Sequence, residues 1–292
     1  MTEQPLVSTL VLNWNGAHLL DDCLVTLAAQ DWPAHEVVVV DNGSGDDSAA
    51  VTARHPARWL PMGDNLGFTR AYNRAVRDAK GELLFFVNND MRRTRFVPGS
   101  YHDVVVPPWA VEYTAAAAGP VEVPWGCAGS LLVRRDRFEA LDGFDPTFFI
   151  DFEDTDLCWR AWRRGWRTIH LPDAVLYHKV GMSGDEYQHL IRGVAPGQVP
   201  KTWFRRRVSY HTNLLRFGLK VLPARDAARL AAALLARAAW HVSRRNLKLA
   251  LSIALAFIHN ARRLPDTLAV RRRVRDGARH DHAAVVRRFS AP

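Results

Sequence analysis

The chain has 292 residues, 48% of them hydrophobic and 24% charged, with a formal net charge of +9. That length admits one large domain, or a domain of about 200 residues with an appendage, and the apolar content argues against a disordered chain. The three cysteines, Cys23, Cys127 and Cys158, are odd in number and far apart, without C-x-x-C spacing; they point to reduced thiols in a cytosolic setting rather than a disulfide framework or a zinc module.

The charge is unevenly spread. Residues 201–292 hold 21 Lys and Arg against 4 acids, a net +17, whereas residues 1–200 hold 18 against 26, a net −8. An acidic body thus carries a basic tail, and only the tail argues for an anionic partner. The first residues, "MTEQPLVSTLVLNWNG", have no basic stretch ahead of their apolar run and do not resemble a signal peptide.

In chain order, "LVSTLVL" (6–12) is a β-branched apolar run that predicts a buried parallel strand, followed by a loop at Asn13–Gly16. Residues 18–29 carry a helix-period apolar face. "EVVVVDNGSGDDS" then gives a second strand, a Gly-rich turn and a helix start. A short strand near Trp59 and Leu60, a helix over 69–80 and the strand "ELLFFVNND" complete the pattern. Alternating strands and helices predict an open α/β fold, a mostly parallel central sheet with flanking helices and right-handed crossovers. Ligands of such sheets sit at the carboxyl ends of the strands, where Asn13–Asn15, Asp41–Ser44 and Asn88–Asp90 fall. The first turn lacks G-x-G-x-x-G, which disfavours a dinucleotide-dependent dehydrogenase.

Residues 91–124 show no clean period and suggest a loop with short strands. From "GCAGSLLVRR" onward the pattern recovers, with a helix at about 155–164 ended by Gly165 and a strand at 166–171. Helical periodicity dominates from 201, so the chain divides into a domain over 1–200 and a basic, amphipathic helical region over 201–292. The longest near-apolar run there, "LALSIALAFI" (249–258), has ten residues, about half of the ~20 a spanning helix needs. Flanking Arg and Lys with Trp and Leu fit a helix lying on an anionic membrane surface. Packing on the main domain or in a homodimer explains the same pattern. Nucleic acid is not expected as a partner, because no recognised binding module accompanies the charge.

Each candidate site has a plain structural reading beside its chemical one. Asp41-Asn42-Gly43-Ser44 suits a turn and a helix cap, and a carboxylate there can also accept a hydrogen bond from a nucleobase imide or a ribose hydroxyl. Asn88-Asn89-Asp90 can start a loop, or offer a hard oxygen donor to Mg²⁺ or Mn²⁺ bridging to phosphates. His178 gains meaning only if the fold brings it near Asp90. In "FFIDFEDTDLCWR" (148–160), Glu153 or Asp154 is expected to cap the following helix. Asp156 can pair with Arg160, and Asp151 is unassigned. A carboxylate kept ionised at a helix start also suits a general base.

Together the segments "VLNWNG", "VVVVDNGSGDDS", "GDNLGFTRAYNRAV", "FFVNND", "GCAGSLLVRRDRFEALDGFDPTFFIDFEDTDLCWR" and "PDAVLYHKVGMS" resemble, in this order, the inverting GT-A glycosyltransferases of family 2, nearest the rhamnosyltransferase-like branch. The resemblance runs from about residue 6 to 183. It implies the GT-A fold, a nucleotide-diphosphate sugar donor and a lipid-linked or polysaccharide acceptor in cell-envelope glycan synthesis. It also implies a peripheral place on the inner face of the plasma membrane. By the same resemblance Asp154 is the catalytic base, and Asp90, with His178, holds a divalent cation, Mg²⁺ or Mn²⁺. Asn15, Asp41, Asn65, Gly67, Asn73, Asn88, Asn89, Gly126, Ala128 and Glu153 would bind substrate. Asn88 stands where the family's D-x-D motif has its first aspartate. That departure, with a short segment between Asp90 and Gly126, keeps open a second reading, a catalytically weakened sugar-nucleotide-binding or scaffold protein.

Overall fold

The computed structural model describes residues 4–93, 119–172, 174, 176–178 and 201–289. These fall into two compact units, and the division is not a single cut in the sequence. The first takes in the described residues up to Phe149, Glu153–Cys158 and those from Arg167 to 178; the second takes in Ile150–Phe152, Trp159–Trp166 and 201–289.

The first unit alternates β1 (Val7–Asn13), α1 (Ala17–Ala28), β2 (His35–Asp41), α2 (Ser48–Thr52), β3 (Arg58–Pro61), α3 (Phe68–Asp78) and β4 (Leu83–Asn88). After β5 (Met91–Arg93) and β6 (Val121–Glu122) come β7 (Ser130–Arg134) and α4 (Arg135–Ala140), then α5 (Glu153–Arg163), β8 (Ile169–His170) and β9 (Leu176–His178). The central sheet has the order β3-β2-β1-β4-β7. Its first four strands are parallel and β7 runs antiparallel to β4. The mostly parallel sheet expected from the apolar runs is therefore the one formed.

Strands buried on both faces explain those runs. Phe85 and Val87 of β4 join Val7, Val11, Val37 and Val39 in a core with Leu20, Leu24 and Leu27 of α1. Phe86 points the other way, into an aromatic cluster where its ring lies 4.8 Å from Tyr72 of α3 and 5.1 Å from Phe144. The buried Tyr72 hydroxyl donates to the Val87 carbonyl at 2.9 Å, so a polar tip inside the core is satisfied. Arg135, at the start of α4, reaches the carbonyls of Gly81, Val76 and Ala79 at 2.7–2.9 Å. It thereby ties down the end of α3.

The second unit is helical: α6 (Lys201–Val221), α7 (Ala224–Ser243), α8 (Leu247–Arg262), α9 (Leu264–Asp276) and α10 (His282–Phe289). Leu215, Leu234 and Ile253 form its core, one from each of α6, α7 and α8. Among the described residues no helix is long and apolar enough to cross a membrane. All three cysteines are free.

Candidate active site

Strand register brings the polar strand ends to one edge of the sheet. Asn13 pairs with Asp41 across β1 and β2, and Leu12 pairs with Asn88 across β1 and β4. Asn13 is fully buried and links both neighbours. Its amide nitrogen donates to Asp41 Oδ1 at 3.5 Å and to Ser44 Oγ at 3.2 Å, and its oxygen accepts from Asn89 at 2.7 Å. The Asp41 carboxylate also accepts the Ser44 backbone N–H, at 3.1 Å to Oδ2. Asn15 closes the same corner: its N–H donates to Ser44 Oγ at 2.9 Å and its side-chain oxygen accepts the Gly45 N–H at 2.8 Å. Gly16 is obligatory beside them, since a Cβ there would run into the Asn89 side chain and come within 2.6 Å of Asn13 Oδ1.

A second polar knot orders residues 65–67. Asn42 donates to Asn65 Oδ1 at 3.0 Å and accepts from the Leu66 N–H at 2.9 Å, and the Gly67 N–H donates to the same Asn65 oxygen at 3.0 Å. Gly67 precedes α3 with φ of +78°. A Cβ on it would lie 2.5 Å from the Phe149 ring. Asn73, expected to line the pocket, directs both ends of its amide to the Phe144 backbone, at 2.7 and 3.0 Å. With Thr69 donating to the Phe148 carbonyl at 2.5 Å, it clasps the loop that leads to the acidic cluster.

That cluster sits differently from the expectation in one respect. The helix begins at Glu153 rather than 155, and Phe152 is its N-cap, so Glu153 and Asp154 occupy the first turn and neither caps it. Asp154 Oδ2 accepts the Ala128 N–H at 3.3 Å and Oδ1 accepts the Thr155 N–H at 2.6 Å. The Gly126 N–H donates to Cys158 Sγ at 3.5 Å, which pins the 126–128 backbone close to the helix start. Glu153, Asp156 and Asp90 are buried. Asp151 is partly buried and forms an ion pair with Arg206 at 3.2 Å.

Residues 151 and 152 are backbone-strained, with φ of +73° at Asp151 and +71° at Phe152. Non-glycine residues reach this region only where the surroundings hold them. Here α6 does so: the Asn213 amide donates to the carbonyls of Ile150 and Asp151, both at 2.8 Å. The Phe152 ring packs 5.3 Å from Tyr210.

Cys127 reports how the acids converge. Its thiol is pushed up to about 12, chiefly by burial, and then by the charges of Asp154, Glu153 and Asp90. The charges of Asp90, just past β4, and of Glu153 and Asp154, at the start of α5, are therefore all felt at one buried thiol. The β5–β9 register sets His178 opposite Met91, one residue beyond Asp90. Among the described residues no group of three or more His, Cys, Asp or Glu side chains forms a metal cage. A hard divalent ion nonetheless fits a single carboxylate when substrate phosphates supply further oxygens, and Asp90 with the neighbouring Asn88 and Asn89 amides is such a donor set. Asn13 and Asn42 are named in the sequence only as members of strand-end and turn segments, without a role of their own, although each joins segments that meet only in the fold.

Comparison with known proteins completes the description. Residues 8–92 match the family described as glycosyl transferase family 2. The N-acetylglucosaminyl-diphospho-decaprenol L-rhamnosyltransferase of Mycobacterium tuberculosis is 29% identical over 237 residues, covering 60% of this chain and 76% of the relative. The glycosyltransferase AglE of Haloferax volcanii is 24% identical, covering 70% and 76%. Among solved structures, GalNAc-T7 with UDP, GalNAc and Mn²⁺ superposes with a TM-score of 0.56 at 12% identity, over 77% of this chain and 49% of that one. The mannosyltransferase PcManGT of Pyrobaculum calidifontis, with GDP-Man and Mn²⁺, gives 0.51 at 20% identity, over 89% and 88%. The chain spans about half the length of the first of these two solved chains. At these identities the two structures share the GT-A fold with this chain.

Proposed function

From the premise that this chain carries a glycosyl transferase family 2 domain, we propose that it is an inverting glycosyltransferase. It moves a sugar, rhamnose or another hexose, from a nucleotide-diphosphate donor to a hydroxyl of a lipid-linked or polysaccharide acceptor in cell-envelope glycan synthesis. The observation that carries this reading is the strand register that sets Asn13, Asp41 and Asn88 at one edge of the sheet, together with the Ala128 N–H that holds the Asp154 carboxylate. The rhamnosyltransferase similarity supports the sugar and the lipid-linked acceptor.

In this reading Asp41, held by Ser44 and Asn13, accepts from the base or ribose of the donor. The ordered 65–67 backbone and Gly126–Ala128 line the nucleotide and sugar. The acceptor oxygen forms its bond to the anomeric carbon on the face opposite the diphosphate, whose oxygen leaves with the bonding electron pair, and configuration inverts. Asp154 takes the acceptor proton. The Ala128 N–H, bound to Asp154 Oδ2, and the helix start hold that carboxylate ionised before the acceptor arrives. Asp90, with His178 as a further donor, would hold Mg²⁺ or Mn²⁺, which would supply positive charge beside the leaving diphosphate. The acceptor's lipid places the enzyme at a membrane surface, with the basic region 201–292 as the docking part.

The test is transfer from nucleotide-diphosphate sugars with Mn²⁺ or Mg²⁺, beside a thermal-shift screen of the same donors, since a ligand bound only by the folded state raises its stability. Asp154→Asn is expected to lower transfer by about 10² to 10⁴ while the donor-induced shift persists. Undiminished transfer in that variant would remove Asp154 as the base. A shift without transfer to any acceptor would favour the sugar-nucleotide-binding reading that Asn88 motivates.

A further inference from the structure

The helix α8 has two unlike faces. Ala250, Ile253, Ala256 and Asn260 are buried, with Ile253 in the core shared by α6 and α7. On the opposite side Leu247, Leu251, Ala254 and Ile258 are all exposed, the three larger ones by 64, 51 and 46%. They recur at i, i+4, i+7 and i+11 and so form one stripe along the helix. A stripe of leucine and isoleucine turned to water is costly unless something covers it.

The turn that leads into α8 carries the charge that borders this stripe. Every residue from Val242 to Lys248 is exposed, and among them are Arg244, Arg245 and Lys248. Just before the turn, Trp240 is exposed by 54%, and the Arg244 guanidinium lies 5.7 Å from the centre of its ring. Between Asp226 and Asp266 the chain has seven Lys and Arg and no acid at all. A protein partner would bring both signs of charge. An apolar stripe bordered by cations alone, with an indole at its rim, matches the layered chemistry of a lipid surface: acyl chains below, anionic headgroups beside them. No described helix is long and apolar enough to span a membrane.

We propose that the α7–α8 turn and the outer stripe of α8 are a docking surface for an anionic lipid bilayer. Leu247, Leu251 and Ile258 enter the acyl boundary, Trp240 sits at headgroup level, and Arg244, Arg245 and Lys248 pair with lipid phosphates. This deepens the membrane-surface part of the proposed function by naming the face that docks, and it rests on that reading only for what the docking serves.

The experiment is flotation of the full chain with vesicles of phosphatidylcholine, with and without phosphatidylglycerol. Binding is expected only with phosphatidylglycerol, and it should weaken as salt is added. Leu247→Ser with Leu251→Ser and Ile258→Ser should abolish flotation. Arg244→Gln with Arg245→Gln and Lys248→Gln should weaken it by roughly fivefold for each cation lost. All six positions are exposed, so unchanged melting curves will show that the variants fold. The proposal is overturned if the wild-type chain stays unbound, or if the serine variant floats as the wild type does. It is also overturned if that variant turns a dimer into a monomer by light scattering, which would make a second copy the cover. Asp154→Asn should float normally. Loss of the glycosyltransferase reading would therefore appear in transfer assays alone and leave flotation untouched.

Discussion

Gly67 illustrates how much one backbone angle decides here. Its φ of +78° lies where side chains are disfavoured, and the Phe149 ring occupies the space a Cβ would need. Gly67→Ala should cost about 1–3 kcal/mol and displace the loop whose Phe149 carbonyl receives the Phe68 N–H at 2.8 Å. A lowered thermal midpoint together with a smaller donor-induced shift would be the signature. A normal midpoint would show that the loop gives way freely. The sequence made Gly67 a candidate through its surroundings, but it could not show that Phe149, 82 positions on, is what fixes it. The same holds for Asn13. An Asn at a strand end reads as turn chemistry, and the partner that gives it a different role, Asn89, lies 76 positions away.

At the scale of elements, periodicity located the strands and helices of the sheet because burial on both faces leaves long apolar runs. It placed the start of α5 two residues late. The reason is that Phe152 makes the N-cap in a left-handed conformation, a state no local preference favours and which α6 imposes from 61 positions away through Asn213. The packing of α6 on α8 hides a titrating group as well. The Ser252 hydroxyl donates to the Leu249 carbonyl at 2.7 Å and lies 3.0 Å from His211 Nδ1, so its oxygen accepts a hydrogen bond from Nδ1 of His211. Its pKa falls to about 4, first through burial and then through Arg207, Arg237 and His241. The unfolded chain, with an ordinary histidine near 6.5, binds this proton more readily. Stability of the helical unit should therefore be complete above about pH 6.5 and decline toward pH 4. His211→Gln should flatten that decline in denaturant melts across the window, and an unchanged slope would assign it to other groups.

For the molecule as a whole, the contrast between an acidic body and a basic tail was legible from charge alone, and so was a helical second part. The way the two units share the chain was not. Clusters of contact are a property of space, and nothing local in "FFIDFEDTDLCWR" says that Ile150–Phe152 and the residues from Trp159 belong to one unit while Phe148, Phe149 and Glu153–Cys158 belong to the other. The consequence concerns anyone who would treat the helical part as detachable. Trp159 packs 6.1 Å from Phe217 and 5.1 Å from His282, and Trp162 lies 5.0 Å from Phe289. A chain shortened to end at residue 200 would keep both tryptophans and Phe152 and lose every one of those neighbours. Rings of this kind bury about 150–250 Å² each, so such a fragment is expected to aggregate or to melt far below the intact protein. A soluble, cooperatively folding fragment in size-exclusion chromatography would refute this. In the reverse direction, grafting residues 201–289 onto a different catalytic body would leave α6 without the strained turn it grips. The helical part is not an interchangeable module, because its folded form includes Ile150–Phe152 and Trp159–Trp166 from earlier in the chain.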